Sequence, residues 1–135
     1  MEFKLEKAEV KKCLQFAEEA WNRRTQSKRD FGNEKRTREK FIADQAEGKL
    51  AEIVLQRFLK TKSIDIDLDF NHYTGERNTD KGDLIISLDN KPIETRIDVK
   101  GSFSRAQWLL VEDYKFIDPQ TKKHVSKAFI MVRLK

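Results

Sequence analysis

Residues 82–100 read GDLIISLDNKPIETRIDVK, two short apolar runs on either side of a turn. Asn90 and Pro92 are typical turn residues, because asparagine tolerates unusual backbone angles and proline fixes its own. The pattern predicts strands at Asp83–Leu88 and Ile93–Lys100, joined as an antiparallel hairpin. This hairpin decides the class of the fold, and both of its strands carry acidic residues.

Side chains alternate between the two faces of a strand. Ile97 and Val99 therefore point one way, and Asp98 and Lys100 point the other way. Pairing through the turn gives partner numbers that sum to roughly 181, which puts Asp98 opposite or diagonal to Asp83. Close carboxylates repel unless a cation lies between them, and a divalent cation beside a lysine suits phosphodiester chemistry. A surface salt bridge between Asp98 and Lys100 is the competing interpretation.

Two helices precede the hairpin. Apolar residues at three- and four-residue spacing predict helices at Phe3–Arg24 and Thr37–Lys60, with a polar, basic loop at Thr25–Lys35 between them. Glu52 lies at the edge of the apolar stripe of the second helix. Gly48, one turn earlier, would let that helix approach a sheet closely.

The remaining segments complete an α+β pattern. Ser63–Phe70 alternates strictly and predicts a strand with one buried face, and Ala128–Leu134 predicts a final apolar strand. Ser102–Phe116 fits a helix or a strand about equally well. We therefore expect helices on one face of a mixed sheet.

Composition limits the classes of protein that fit the chain. Its 135 residues suffice for one core, and we expect an N-terminal helix with a basic loop at 1–36 and a core domain at 37–135. The net charge of +5 suits a polyanionic partner without requiring one. Cys13 is the single cysteine, which excludes an intramolecular disulfide and a cysteine zinc cluster. Without an apolar stretch of membrane-spanning length, we expect a soluble cytoplasmic protein with no membrane partner.

Taken together, the motifs resemble the PD-(D/E)XK nuclease superfamily. The resemblance covers about residues 40–134. It is carried by a G-x-x-x-E motif in the second predicted helix, from Gly48 to Glu52, by the alternating strand, and by Gly82-Asp83 and Asp98-Val99-Lys100. Gly82 stands where the family name has proline, and Asp98 takes the position that is more often glutamate.

The resemblance implies a fold and a set of roles. The fold is a restriction-endonuclease-like α-β-β-β-α-β core with a mixed central sheet and an extra N-terminal helix, provided that Ser102–Phe116 forms the second core helix. The implied catalytic residues are Glu52, Asp83, Asp98 and Lys100. The three acids would bind Mg²⁺ or Mn²⁺, and the lysine would assist the attacking water.

Residues near the predicted hairpin and in the basic run that leads into the second helix could contact DNA phosphates. They are Arg36, Arg38, Arg77, Asn78, Lys81 and Ser102. We expect a metal-dependent endonuclease that acts on DNA as a homodimer, with Trp21 on a candidate dimer surface. Two alternatives are a non-catalytic nucleic-acid-binding or assembly module with the same fold, and a structural interaction module in which Asp98 and Lys100 form a surface pair.

Overall fold

The computed structural model describes residues 2–23, 37–72, 84–88, 91–102, 117, 120–122 and 128–134, with 84–88 and 91–96 described by their backbone. The chain forms an α+β fold, as predicted from the sequence. Its elements are α1 (Lys7–Asn22), α2 (Arg38–Lys60), β1 (Leu84–Leu88), β2 (Lys91–Ser102) and β3 (Ala128–Arg133).

The described strands form one mixed sheet with β2 in the middle. β2 is antiparallel to β1 and parallel to β3. Leu84 pairs with Ile97, which is the predicted register, and a bulge follows because Ile86 pairs with Ile93. β2 begins at Lys91 rather than at Ile93, so Lys91 and Pro92 belong to the strand and not to the turn. The parallel pairing requires a crossover connection between β2 and β3.

Helix α2 packs on one face of the sheet. The buried cluster between them contains Ala51, Leu55, Leu59, Ile66, Ile97 and Val99. Toward the C-terminal end of β2, the strand backbone comes close to α2. A Cβ added to Gly101 would lie only 2.6 Å from the carbonyl oxygen of Glu47. Glu47, which meets Gly101, precedes Ala51, Leu55 and Leu59 along α2, whereas Gly101 follows Ile97 and Val99 along β2. The helix therefore runs antiparallel to the strand.

Helix α1 lies antiparallel along α2. Arg57 donates to Glu9 at 2.6 Å at one end, and the rings of Trp21 and Phe41 are 5.4 Å apart at the other. A second buried cluster joins the two helices to the end of β3; it contains Cys13, Ala17, Ala46, Leu50, Ile53 and Leu134. Trp21 therefore has a partner within its own chain, and the homodimer stays a prediction.

The strand predicted at Ser63–Phe70 is wrong. Side chains along this segment alternate between buried and exposed positions as expected, with Ile66 only 6% exposed. However, residues 64–72 form no strand. The alternation thus identified an extended segment with one buried face, but it did not determine what the backbone pairs with.

Side chains of α2 hold this extended segment. Gln56 Nε2 donates to the carbonyl of Ile66 at 2.7 Å, and Lys49 Nζ donates to the carbonyl of Asp69 at 2.7 Å. The chain turns back along the helix after Ser63, whose φ of 60° lies in the left-handed region. Side chains of α2 thus satisfy carbonyls that a neighbouring strand would otherwise satisfy.

Two other predictions fall partly outside the described residues. Ser102 ends β2, whereas 103–116, where the second core helix was expected, lie outside them, as does the predicted loop at Thr25–Lys35. The proposed boundary after residue 36 also falls there. In the part of the chain that the structure describes, no helix combines the length and apolarity needed to span a bilayer.

Two glycines provide a matched test of the packing between helix and sheet. The expectation that Gly48 permits the close approach is wrong, because nothing lies within 4 Å of a Cβ built there. Gly101 has that role instead. Gly101→Ala should lower the free energy of unfolding by about 1–3 kcal/mol through overpacking. Gly48→Ala should raise it by about 1 kcal/mol through helix propensity. Urea denaturation measures both, and equal effects would contradict the packing described.

Candidate active site

The face of β2 that turns away from α2 carries an ion pair. Ile97 and Val99 pack against the helix, so alternation places Asp98 and Lys100 together on the opposite face. Lys100 Nζ lies 3.1 Å from Asp98 Oδ1. Asp98 is only 4% exposed, whereas the side chain of Lys100 is 32% exposed. The structure therefore forms the predicted pair and buries its carboxylate, unlike an ordinary surface salt bridge.

Strand β3 extends this polar face. Residues paired across two parallel strands lie on the same side of the sheet. The pairs on this side are Asp98 with Phe129, Lys100 with Met131 and Ser102 with Arg133. Exposure rises along β2 from buried Asp98 to half-buried Lys100 and Ser102, and Arg133 is exposed. We call this surface, made of Asp98, Lys100, Ser102, Phe129, Met131 and Arg133, the polar face.

The charges of the polar face suit an oxygen-binding cation and a phosphate. Moving a carboxylate from water into the protein interior costs on the order of several kcal/mol, and the ion pair with Lys100 offsets part of that cost. Asp98 is a hard oxygen donor of the kind that Mg²⁺ and Mn²⁺ prefer. Within the described ranges no group of three or more such side chains could hold a metal ion. Asp83, a member of the predicted set, lies outside them.

Glu52 has a structural partner that the sequence analysis did not consider. Lys49 Nζ lies 2.8 Å from Glu52 Oε2, and the two side chains are 15% and 6% exposed. The same ammonium donates to the Asp69 carbonyl and lies 5.1 Å from the centre of the Phe16 ring. Glu52 thus helps to hold Lys49, which holds the extended segment on α2. The three-residue spacing of Lys49 and Glu52 on a helix was the available signal.

The predicted DNA-contacting residues divide into two groups. Arg38 begins α2, and its guanidinium lies 4.0 Å from the carboxylate of Glu18. Because α2 runs antiparallel to β2, Arg38 lies toward the same end of the sheet as Ser102. The other members, Arg36, Arg77, Asn78 and Lys81, lie outside the described residues.

Arg133 is the residue on this face that the sequence analysis missed. Its position follows from the pairing of β3 with β2 rather than from any motif. Alternation along 128–134 separates Arg133 from the buried positions, but only the parallel register places it beside Ser102.

Cys13 is a packed residue. It is fully buried at the contact between the helices. Burial raises the pKa of its thiol to about 11, and the nearby charge of Glu52 acts in the same direction. The thiol therefore stays protonated at neutral pH and is unsuited to act as a nucleophile.

No family model matches the chain, and neither curated proteins nor solved structures provide a match.

Breaking the Lys49–Glu52 pair should destabilise the fold. Glu52→Gln is expected to lower the free energy of unfolding by about 2 kcal/mol, because it leaves a largely buried ammonium without its anionic partner. Asp44→Asn is the matched control, since it breaks a Lys40–Asp44 pair of the same 2.8 Å length whose lysine is 66% exposed. That change should cost about 0.5 kcal/mol or less. Similar losses for both variants in denaturant titrations would contradict the structural role of Glu52.

The buried thiol predicts a pH dependence of stability. Its pKa is higher in the folded chain than its ordinary value of 9.0, so above that pH the folded state binds more protons than the unfolded state. Stability should therefore fall as pH rises from 9 toward 11. Thermal unfolding of Cys13→Ala should lose this part of the decline. An identical pH dependence with and without the cysteine would show that the thiol does not contribute.

Proposed function

We propose that this chain is a metal-dependent endonuclease that hydrolyses DNA phosphodiester bonds, with the restriction-endonuclease-like core of the PD-(D/E)XK superfamily. The observation that carries the proposal is the buried carboxylate of Asp98 beside Lys100 on the polar face. Supporting it, α2 precedes an antiparallel hairpin whose second strand pairs in parallel with β3. This is part of the element order that the resemblance implies; residues 64–72, which would be the first of its three consecutive strands, form an extended segment instead.

A divalent cation fits the chemistry of Asp98. We propose Mg²⁺ or Mn²⁺, held by Asp98 and Asp83. Glu52, which the resemblance makes the third member of the set, lies on α2, on the other side of the sheet from Asp98. When bound, such an ion lowers the pKa of water and stabilises a leaving oxygen. Asp98 lies on the polar face, whereas Asp83 lies outside the described residues. Lys49 engages Glu52, so any part that Glu52 has in metal binding comes in addition to its packing role.

Lys100 supplies the second element of the proposed chemistry. Its ammonium lies 3.1 Å from Asp98 Oδ1 while the side chain is 32% exposed, which leaves Lys100 open to a substrate. A cation held in this way would orient the attacking water, or neutralise charge that develops on the phosphorane-like transition state. Ser102 and Arg38 would bind backbone phosphates near the end of the sheet at which β2 finishes. Cutting both strands of a duplex would use two copies of the chain, so we include a homodimer in the proposal.

A second candidate is a nucleic-acid-binding or assembly module with the same fold and no cleavage. The Lys49–Glu52 pair favours it, because packing alone gives the chain a reason to retain Glu52. The two candidates differ in their need for metal. The endonuclease requires Mg²⁺ or Mn²⁺ for cleavage, whereas the module binds DNA to the same extent in a chelator.

Replacing Asp98 tests the endonuclease directly. Asp98→Ala should lower Mg²⁺-dependent cleavage of plasmid DNA at least about 100-fold while DNA binding persists. Asp65→Ala, which removes an exposed acid from the extended segment, is the matched control and should cut normally. Cleavage by Asp98→Ala at the unaltered rate would contradict the proposal. Metal-independent binding without any cleavage by the unaltered protein would favour the module.

A further inference from the structure

Arg133 lies on the polar face but belongs to none of the motifs that suggested a nuclease. It pairs with Ser102 in the parallel register, and Leu134 donates its backbone N–H to the Ser102 carbonyl at 2.9 Å. This bond continues the contact between β2 and β3 one residue beyond the ladder. The position of Arg133 beside Ser102 is therefore set by backbone hydrogen bonds.

On the polar face, side-chain exposure increases toward the end where β2 and β3 finish, and the basic residues Lys100 and Arg133 lie toward that end. Asp98 is buried, Lys100 is partly exposed two residues further along β2, and Arg133 lies on the outermost pair. Strand geometry spaces successive pairs on one face by about 7 Å and neighbouring strands by about 5 Å. A chain of phosphates that reaches Lys100 from solvent at this end of the sheet therefore passes within reach of Arg133.

We propose that Arg133 binds a DNA backbone phosphate next to the one held at Lys100, and that the neighbouring Ser102 hydroxyl hydrogen-bonds to the same phosphate. This inference rests on the proposed function and extends it, because it assigns the path of the bound strand along the outer end of the polar face. The planar guanidinium suits a two-oxygen contact with phosphate. Contacts to phosphate carry no sequence information, so Arg133 contributes affinity and register without base specificity.

The salt dependence of binding tests this inference. Fluorescence anisotropy of a labelled DNA duplex, measured in EDTA at several NaCl concentrations, reports affinity without cleavage. Arg133→Ala should weaken binding about tenfold for duplexes of unrelated sequence and reduce the slope of log affinity against log salt by about 1. Arg133→Lys should keep the slope, because it keeps the charge, and lose part of the affinity.

Lys60 provides the control. It is an exposed cation at the end of α2, and because α2 is antiparallel to β2 it lies toward the opposite end of the sheet. Lys60→Ala should leave both affinity and slope unchanged. Circular dichroism verifies folding, and Arg133→Gln replaces Arg133→Ala if the alanine variant fails to fold.

The outcomes separate the two levels of the argument. Unaltered protein that cuts or binds DNA, with the same salt slope in Arg133→Ala, overturns the inference and leaves the proposed function standing. An equal loss in Lys60→Ala also overturns it, because the effect is then one of net charge. Unaltered protein that neither cuts DNA nor binds it in a salt-dependent manner overturns the proposed function and the inference with it.

Discussion

The packing of α2 against one face of β2 is the contact on which the arrangement of the polar face depends. Gly101 lets the helix backbone come close to the strand at Glu47, and further along Ala51 packs in one cluster with Ile97 and Val99. Since strand residues alternate, each residue that faces the helix leaves its neighbour on the other side. The burial of apolar residues thus determines which residues form the polar face.

The Lys49–Glu52 and Lys100–Asp98 ion pairs have different environments, which suit different roles. The ammonium of Lys49 is held by Glu52 and by the Asp69 carbonyl, and it is largely covered. The ammonium of Lys100 is more exposed and lies on a face that ends in an exposed arginine. A largely buried pair with further hydrogen bonds fixes structure. A buried acid beside an accessible cation is better placed to meet a charged ligand.

Local patterns predicted much of the fold. The second helix was expected at Thr37–Lys60, and the structure begins it at Arg38 after a Thr37 cap and ends it at Lys60. The hairpin register was also predictable, because a short turn between two apolar runs allows few alternatives. These features depend on neighbours in sequence, which hydrophobic periodicity and turn residues report directly.

Features that depend on distant parts of the chain were missed. Alternation at Ser63–Phe70 correctly indicated a half-buried extended segment, but its backbone partners are Gln56 and Lys49 of a helix. Gly48 and Gly101 look alike in sequence, and only the position of Glu47 shows which one permits close packing. In the candidate site, the pairing of Asp98 with Lys100 followed from alternation, whereas the role of Glu52 beside Lys49 and the position of Arg133 required tertiary contacts.

The central claim is that the polar face binds a divalent cation at Asp98. A crystal soaked in MnCl₂ and measured for anomalous scattering from manganese tests it most directly. The account predicts an anomalous peak within about 2.3 Å of a carboxylate oxygen of Asp98, at metal–oxygen bonding distance. Manganese bound elsewhere, with no peak beside Asp98, would contradict it.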